Sequence, residues 1–492
     1  MQSLRLDIGK DFKTIIGPIL LAQVAIIANI LFFRLTGVAD FLYFFLIQAL
    51  FINNPKILFS FLLTAFYSTY FYTVDLGFFA FQNDDFCVDT TNNLSNASLL
   101  VIGISSIKNR YFRFSSSPLS ILLFVFAGYI IVDSLLVGMF ADSRENVYRL
   151  LNFYLLFVLS YSVMLRIGSL VYLVKYSLYI AFLHVVVLIL FVLFNSNTEQ
   201  YYAGSYLLLI LPILIGLFHY QKRNPQKIMP NWLLVVVIIL CFYLMLLTNS
   251  RRYFIGAVLF ISFLFIKDLI GRRILLVMIM IVGLGFLWLN GVFDALMPAS
   301  IQERLSVTRE ALQFYSARGD FGQYAGDFYS SRDELYEYAY EIIEKNWVFG
   351  IGYLGSDAYI GSIIEKKVRI HNFFLQLFAD NGIICLLLYF IILITMLRML
   401  SRRVFSKEYD LFTRQIFTAF MVYVVISNII GYLGLSLFYA KFEWFVYGIF
   451  FGAYEFTEIT RKISAANALT LRASRLGKTH IPSRHTSLPE AN

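Results

Sequence analysis

Charged residues are scarce in this sequence of 492 residues, at only 14% of the chain. Soluble globular proteins carry about 25% charged residues, so this shortage excludes a water-soluble enzyme. Cysteine is also scarce: Cys87, Cys241 and Cys385 have no metal-type spacing, and two of them lie in apolar stretches. An odd, scattered set argues against both a disulfide framework and a zinc site. The alternating strands of about 10 residues that typify membrane β-barrels are absent too.

Hydrophobic residues make up 59% of the chain, and its mean hydropathy is +0.72. Apolar runs of about 20 residues recur from end to end, each long enough to cross a hydrocarbon core of about 30 Å. This pattern predicts an all-α polytopic membrane protein. The first apolar run can act as an uncleaved signal anchor. The formal charge of +9 raises the question of a nucleic-acid partner. In a membrane protein, however, the positions of the basic residues indicate which loops are cytoplasmic.

Charged breaks divide the apolar runs into about thirteen predicted spans, and a shorter run over 94–107 is ambiguous. The spans lie near 15–33, 38–52, 57–81, 118–140, 147–165, 169–194, 204–220, 231–248, 253–270, 274–293, 373–397, 411–433 and 441–460. The basic clusters all fall on one side only if 94–107 also crosses. The charge pattern therefore favours about fourteen spans with both termini cytoplasmic, and leaves about twelve or thirteen open.

The predicted organisation has four parts. They are transmembrane helices over 1–293, a large outer loop over 294–372, C-terminal transmembrane helices over 373–460 and a basic cytoplasmic tail over 461–492. The loop, of about 80 residues, is too long for a passive connector. Within it, apolar residues repeat at helical spacing between acidic ones, namely Leu335, Tyr338, Ala339, Ile342 and Ile343. That spacing predicts an amphipathic helix. The tail is expected to lie near anionic lipid.

Three outer-face segments break local rules, which is how functional sites show themselves in a sequence. The first is Ser250-Arg251-Arg252, between two spans, where adjacent arginines contradict the positive-inside bias. Snorkelling to lipid headgroups is one explanation. A guanidinium directed at a phosphate is the other, because its rigid fork donates two parallel hydrogen bonds and stays charged.

The second segment has Arg332 at the start of the predicted loop helix and Gly350-Ile351-Gly352-Tyr353 beyond its end. Arg332 either pairs with a neighbouring acid or binds an anion. The glycine pair is no dinucleotide fingerprint, since no strand precedes it, and a tight turn towards the membrane explains it. The third segment, His371-Asn372, lies where the loop re-enters the membrane. His371 is either an interfacial helix cap or a general base, since the pKa of histidine, about 6.5, suits proton transfer at neutral pH.

Four ionisable residues lie inside or near the ends of predicted spans: Asp75, Asp133, Lys175 and Glu443. Such groups are costly in a membrane and often functional. Helix–helix hydrogen bonds or a water-filled cavity account for them at least as well. The chain shows no internal repeat, which counts mildly against an inverted-repeat transporter.

The three outer-face segments occur in a fixed order along the chain. They read Thr248-x-Ser250-Arg251, then Ser331-Arg332 with Gly350-x-Gly352-Tyr353, then His371-Asn372-Phe373-Phe374-Leu375. Taken together they resemble the O-antigen ligase and polymerase superfamily. These are bacterial inner-membrane glycosyltransferases acting on undecaprenyl-diphosphate-linked glycans. The resemblance is best over roughly 200–397, and the N-terminal half agrees in its general hydropathy.

The resemblance implies a GT-C-like glycosyltransferase fold with a cavity facing the periplasm. The leaving group would be the lipid diphosphate, whose developing charge Arg251 and Arg332 would stabilise, with Arg252 a weaker candidate. His371 would take the proton from the acceptor sugar's hydroxyl. No cluster of Asp and Glu suggests a metal, so a metal-independent reaction without a cofactor is expected. Supporting roles are expected for Ser250, Tyr353 and Asn372, the last by orienting the imidazole or a substrate hydroxyl.

Three functions remain open at this stage. The first is a Wzy-type polymerase of O-antigen, capsule or exopolysaccharide, and the second is a WaaL-type ligase moving the finished chain onto lipid A-core. The third is a lipid-linked oligosaccharide flippase or other transporter. Polymerases of this superfamily are often rich in Phe, Tyr and Asn, so the resemblance favours the polymerase for a chain with 51 Phe and 33 Tyr. The implied partners are the lipid-linked donor, the glycan acceptor and membrane lipid, with a chain-length regulator and a flippase as further protein partners.

Overall fold

The computed structural model describes residues 8–68, 84–115, 117–137, 143–194, 203–224, 227–247, 306, 310, 332–364, 370, 372–433 and 441–478. All regular structure in these ranges is helical. The N-terminal helices are α1 (Ile8–Asp11), α2 (Gly17–Ala28), α3 (Gly37–Ala49), α4 (Pro55–Ser68) and α5 (Asp84–Lys108). Next come α6 (Pro118–Val137), α7 (Ser143–Ile167), α8 (Leu170–Phe194), α9 (Ala203–Arg223) and α10 (Asn231–Leu247). The last are α11 (Arg332–Asn346), α12 (Gly355–Ile364), α13 (Phe373–Phe405), α14 (Leu411–Leu433) and α15 (Lys441–Lys478). Two π-helical segments, Phe12–Ile16 and Asn29–Phe33, flank α2.

Five helical stretches in the described ranges are long and apolar enough to cross a membrane. They are Gly9–Ala28, Pro118–Val137, Tyr148–Ile167, Phe373–Phe405 and Leu411–Asn428. α6 shows the reason: Phe124 and Leu135 point outwards, whereas Asp133 and Ser134 are buried. This inside-out distribution suits a helix whose surroundings are lipid, because a buried polar group can find a partner only inside the bundle. The prediction of an all-α polytopic membrane protein is confirmed.

The run over 94–107, ambiguous in the sequence, lies within α5, a helix of 25 residues. Its length of about 37 Å is sufficient to cross a hydrocarbon core. Ser98 and Ser105 lie on its buried side, and Ser105 donates a hydrogen bond to the carbonyl of Ile52. α5 packs against α3 and α4, and its crossing of the membrane stays a prediction.

α7 and α15 pack extensively against each other. Two glycines one turn apart on α15, Gly448 and Gly452, allow the approach. A Cβ at Gly448 would lie 2.5 Å from the Phe157 carbonyl oxygen, and one at Gly452 would lie 2.7 Å from that of Tyr161. Small residues four positions apart let two helix backbones pack closely in a membrane, where van der Waals contact drives association.

Three of the four ionisable residues noted in the spans have partners on other elements. Lys175 binds Asp11 at 2.9 and 3.0 Å, and Asp133 accepts a hydrogen bond from Asn381 at 2.9 Å. Glu443 is bonded to the Ser427 and Tyr447 side chains. They therefore act as helix–helix contacts, the plainer of the explanations considered. Asp75 lies outside the described residues.

α13 is not one straight helix, and the sequence did not predict this. Its backbone breaks at Gly382, with φ 72° and ψ −177°. The rings of Phe373 and Tyr389 are 4.8 Å apart, and those of Phe374 and Phe390 stack at 5.5 Å. Residues 16 positions apart in a straight helix are separated by about 24 Å. The helix therefore folds back on itself as a hairpin.

Candidate functional site

The hairpin of α13 has a short limb over 373–381, an apex at Asn381–Gly382 and a long limb over 383–405. The short limb carries the residues that follow His371-Asn372 in sequence. The long limb is the apolar one, with Leu387, Ile391 and Ile394 exposed on its surface. The long limb is thus suited to span the membrane, and the short limb folds back beside it.

The segment over 347–354, between α11 and α12, crosses the hairpin apex and is called the crossing segment. Its backbone contacts that of the apex directly. The Ile383 N–H donates to the Trp347 carbonyl at 2.9 Å, and the Gly352 N–H donates to the Asp380 carbonyl at 2.7 Å. A Cβ at Gly350 would lie 2.3 Å from the Asp380 carbonyl oxygen, and one at Gly382 would lie 2.0 Å from that of Val348. Both glycines also have positive φ. Only glycine fits such a crossing, so the predicted tight turn has a structural reason.

α11 and the short limb lie side by side. Leu335, Ala339 and Ile342 of α11 belong to one buried apolar cluster with Ile370 and Ala379. The end of α11 is tied to the apex through Trp347. Leu335 lies 11 positions before Asn346, the last residue of α11, and Ile370 lies 11 positions before Asn381 at the apex. At 1.5 Å per helical residue, both residues lie roughly 15–20 Å from the apex. The first residues of the two helices therefore lie at the same end of the pair.

Two predicted site residues lie at this shared end. Arg332 is the first residue of α11, although its side chain is outside the described part of the structure. Asn372 is the N-cap of α13, and its Oδ1 accepts a hydrogen bond from the Leu375 N–H at 3.2 Å. The Asn372 side chain thus holds the backbone next to His371 in place. His371 itself, and Ser250, Arg251 and Arg252, lie outside the described residues.

Tyr353 lies on the bundle side of the crossing segment. It is buried in the main apolar core, and its N–H donates to the Ser134 Oγ of α6 at 3.0 Å. This hydrogen bond fixes the crossing segment to a spanning helix. A supporting role for Tyr353 in the site stays a prediction.

Buried polar groups surround the apex, and of these only Asp133 stands out in the sequence. The Asp380 carboxylate accepts from the Ser356 N–H at 2.8 Å, at the start of α12. The Asn381 amide donates to Asp133 Oδ2 at 2.9 Å. The only available sequence signal was the Asn381-Gly382 pair inside an apolar run, because Asn-Gly is typical of turns.

The outer face of α11 is acidic and carries its own ion pair. Lys345 Nζ donates to Glu341 Oε1 at 2.6 Å, one helical turn away. This hydrogen bond raises the pKa of the Lys345 ammonium. Within the described ranges, no group of three or more His, Cys, Asp and Glu side chains could hold a metal ion. Metal independence of the reaction stays a prediction.

Residues 235–390 match the family model described as O-antigen ligase. This stretch of the chain is similar to that family. The match covers about a third of the sequence and includes both arginine segments, the crossing segment and His371. The predicted resemblance to the O-antigen ligase and polymerase superfamily is thereby confirmed. No curated protein matches the chain.

Proposed function

We propose that this multi-pass membrane protein is a polysaccharide polymerase. It transfers an undecaprenyl-diphosphate-linked glycan onto a hydroxyl of an acceptor sugar at the periplasmic face of the bacterial inner membrane. The observation that carries the proposal is the shared end of α11 and the short limb, within the stretch that is similar to the O-antigen ligase family. There Arg332, the first residue of α11, and Asn372, the cap of α13, come from separate parts of the chain to one end, and His371 precedes Asn372 in the sequence.

The residue types at this end suit a glycosyl transfer from a lipid diphosphate. Charge develops on the diphosphate as the bond to the sugar breaks, and guanidinium groups stabilise it with paired hydrogen bonds. Arg332 and Arg251 take this role, with Arg252 beside them. The dipoles of two helix N-termini add positive potential at the same end.

His371 is the proposed general base. It removes the proton from the acceptor hydroxyl as that oxygen attacks the anomeric carbon. Because the Asn372 Oδ1 is engaged in capping α13, Asn372 contributes by fixing the backbone on which His371 stands. Ser250 and Tyr353 support the site from the two flanking segments.

The long limb also suggests on which side of the membrane the site lies. Arg402 is exposed near the end of the long limb and suits the cytoplasmic boundary. Nineteen residues of helix, about 29 Å, lead from it to Ile383 beside the apex, so the apex lies near the periplasmic boundary. We place α11, the crossing segment and the short limb on that periplasmic side. In this arrangement both termini are cytoplasmic and 294–372 is periplasmic.

An O-antigen ligase is the second candidate, because the matching family model carries that description. The two enzymes share donor and chemistry and differ in acceptor: a growing chain for the polymerase, lipid A-core for the ligase. The composition, rich in Phe and Tyr, favours the polymerase. A chain-length regulator and a flippase are the proposed protein partners. The family match favours transfer chemistry over transport.

The test uses purified protein in lipid with an undecaprenyl-diphosphate-linked repeat unit, and product length is read on a gel. His371→Ala should reduce chain extension by about 10²-fold or more, since general-base catalysis contributes about 10²–10⁴-fold. His219→Ala is the matched control, because His219 lies on α9 near the basic residues of its last turn. Both variants should insert and elute like the wild type. Full extension by His371→Ala would remove His371 as the base.

A further inference from the structure

We propose that Asp380 is a positioning residue for the transfer reaction. Its carboxylate fixes the crossing segment and α12 on the hairpin apex. In that way it holds α11, which begins at Arg332, in register with the short limb, which follows His371. The catalytic half of this inference rests on the proposed function, whereas the positional half concerns the fold alone.

Asp380 links the short limb to both the crossing segment and α12. It is fully buried. Its side chain accepts from the Ser356 N–H at 2.8 Å. Its backbone carbonyl accepts from the N–H groups of Ile351 at 3.0 Å and Gly352 at 2.7 Å. One position of the short limb therefore ties down both the turn after α11 and the first turn of α12.

The side-chain hydrogen bond has a clear physical basis. The first N–H groups of a helix have no partner within that helix, and the helix dipole favours a negative charge there. The Ser356 N–H belongs to the first turn of α12 and is buried with its residue. Without an acceptor it would be left unsatisfied in the interior, which is costly. The loss of this acceptor would therefore favour separation of the crossing segment and α12 from the apex.

Distance rules out direct participation of Asp380 in the chemistry. Asp380 follows Asn372, the cap of α13, by eight positions of the short limb, so about 12 Å separate these two residues along the helix. A general acid or base has to lie within hydrogen-bond reach of the reacting atoms. Asp380 therefore acts through the elements it holds. A misplacement of about 1 Å of such elements can cost about 10²-fold in rate.

Position and charge make opposite predictions for two conservative variants. Asp380→Asn removes the charge but keeps an acceptor oxygen in the same place. Asp380→Glu keeps the charge but moves the oxygen by one methylene. If Asp380 acts by position, Asp380→Asn should retain at least about half of the wild-type kcat, and Asp380→Glu should lose at least about tenfold. Asp380→Ala should lose at least as much as Asp380→Glu.

The experiment measures kcat, KM and an internal distance on the same full-length proteins. The distance is measured by pulsed electron paramagnetic resonance between spin labels at positions 340 and 391, in place of Tyr340 and Ile391. The native cysteines Cys87, Cys241 and Cys385 are replaced so that only these two positions are labelled. Both labelled side chains are exposed, one on α11 and one on the long limb. Asp380→Glu and Asp380→Ala should shift or broaden the distance distribution, and Asp380→Asn should leave it unchanged.

Asp357→Ala is the matched control. The Asp357 carboxylate also links α12 to the short limb, by accepting from Gln376 Nε2 at 2.9 Å, but it is only partly buried. This variant should keep both the rate and the distance near wild type. The proposal is overturned if Asp380→Asn loses as much activity as Asp380→Glu, or if activity falls while the distance distribution stays the same. A wild-type protein without transferase activity would refute the proposed function, and the distance distributions alone would then decide the positional half.

Discussion

Gly382 at the hairpin apex offers the most direct perturbation of the fold around the site. Its φ of 72° and ψ of −177° lie in a region that only glycine adopts readily. In addition, a Cβ there would lie 2.0 Å from the Val348 carbonyl oxygen. Gly382→Ala therefore introduces backbone strain and drives the crossing segment away from the apex.

The cost can be added from two terms. A residue held in such a conformation costs roughly 1–3 kcal/mol. Displacement of the crossing segment breaks the hydrogen bond from the Ile383 N–H to the Trp347 carbonyl, which contributes about 1 kcal/mol. Gly382→Ala should thus destabilise the protein by roughly 2–4 kcal/mol. Gly128→Ala is the control, because nothing lies within 4 Å of its added Cβ and alanine is favoured in a helix interior.

The assay is thermal unfolding of both variants in the same detergent, followed by transferase activity of the folded fraction. Gly382→Ala should lower the unfolding midpoint by roughly 2–4 °C, since an unfolding entropy of about 2.1 cal/mol/K per residue makes 1 kcal/mol correspond to about 1 °C in a chain of 492 residues. Gly128→Ala should match or exceed the wild type. Equal midpoints for Gly382→Ala and wild type would refute the close backbone crossing.

Three further predictions concern the site, the bundle and the topology. Arg332→Lys should reduce transfer about tenfold or more, because lysine cannot donate two parallel hydrogen bonds to a phosphate; equal rates for lysine and arginine in the purified assay would refute diphosphate recognition by Arg332. Lys175→Met should destabilise the bundle by about 3–5 kcal/mol in a thermal or denaturant titration, since it leaves the buried Asp11 carboxylate without its cation. The double variant with Asp11→Leu should regain most of that loss, and no recovery would contradict this account of the pair. A reporter enzyme fused at Ala325 should be active only outside the cytoplasm, whereas a cytoplasmic signal would overturn the topology.

Most helices could be predicted because lipid-facing helices need long apolar runs, and these stand out from any soluble pattern. α11 could be predicted for a related reason: Leu335, Ala339 and Ile342 recur at helical spacing and are the residues that the structure buries. The reversal at Gly382 could not. A glycine inside an apolar run is common in membrane helices, and what folds α13 back is contact with a segment about 30 positions earlier in the chain.

The candidate site divides in the same way. Arginine and histidine on the outer face could be singled out, because their charge and chemistry are out of place there. Asp380 could not, since a carboxyl near the end of an apolar run resembles an ordinary span boundary. Its side-chain partner is the backbone N–H of Ser356, and every residue except proline has such a group. Only the three-dimensional arrangement shows that this carboxylate meets that N–H at the apex.

The central claim is that the protein extends a lipid-linked glycan, and a strain deleted for its gene tests it most directly. Surface and lipid-linked glycans from that strain are separated by size and compared with the parent. A single repeat unit on the usual acceptor is the predicted result, because transfer to the final acceptor continues while polymerisation is missing. Long chains stranded on undecaprenyl diphosphate would contradict it and identify a ligase.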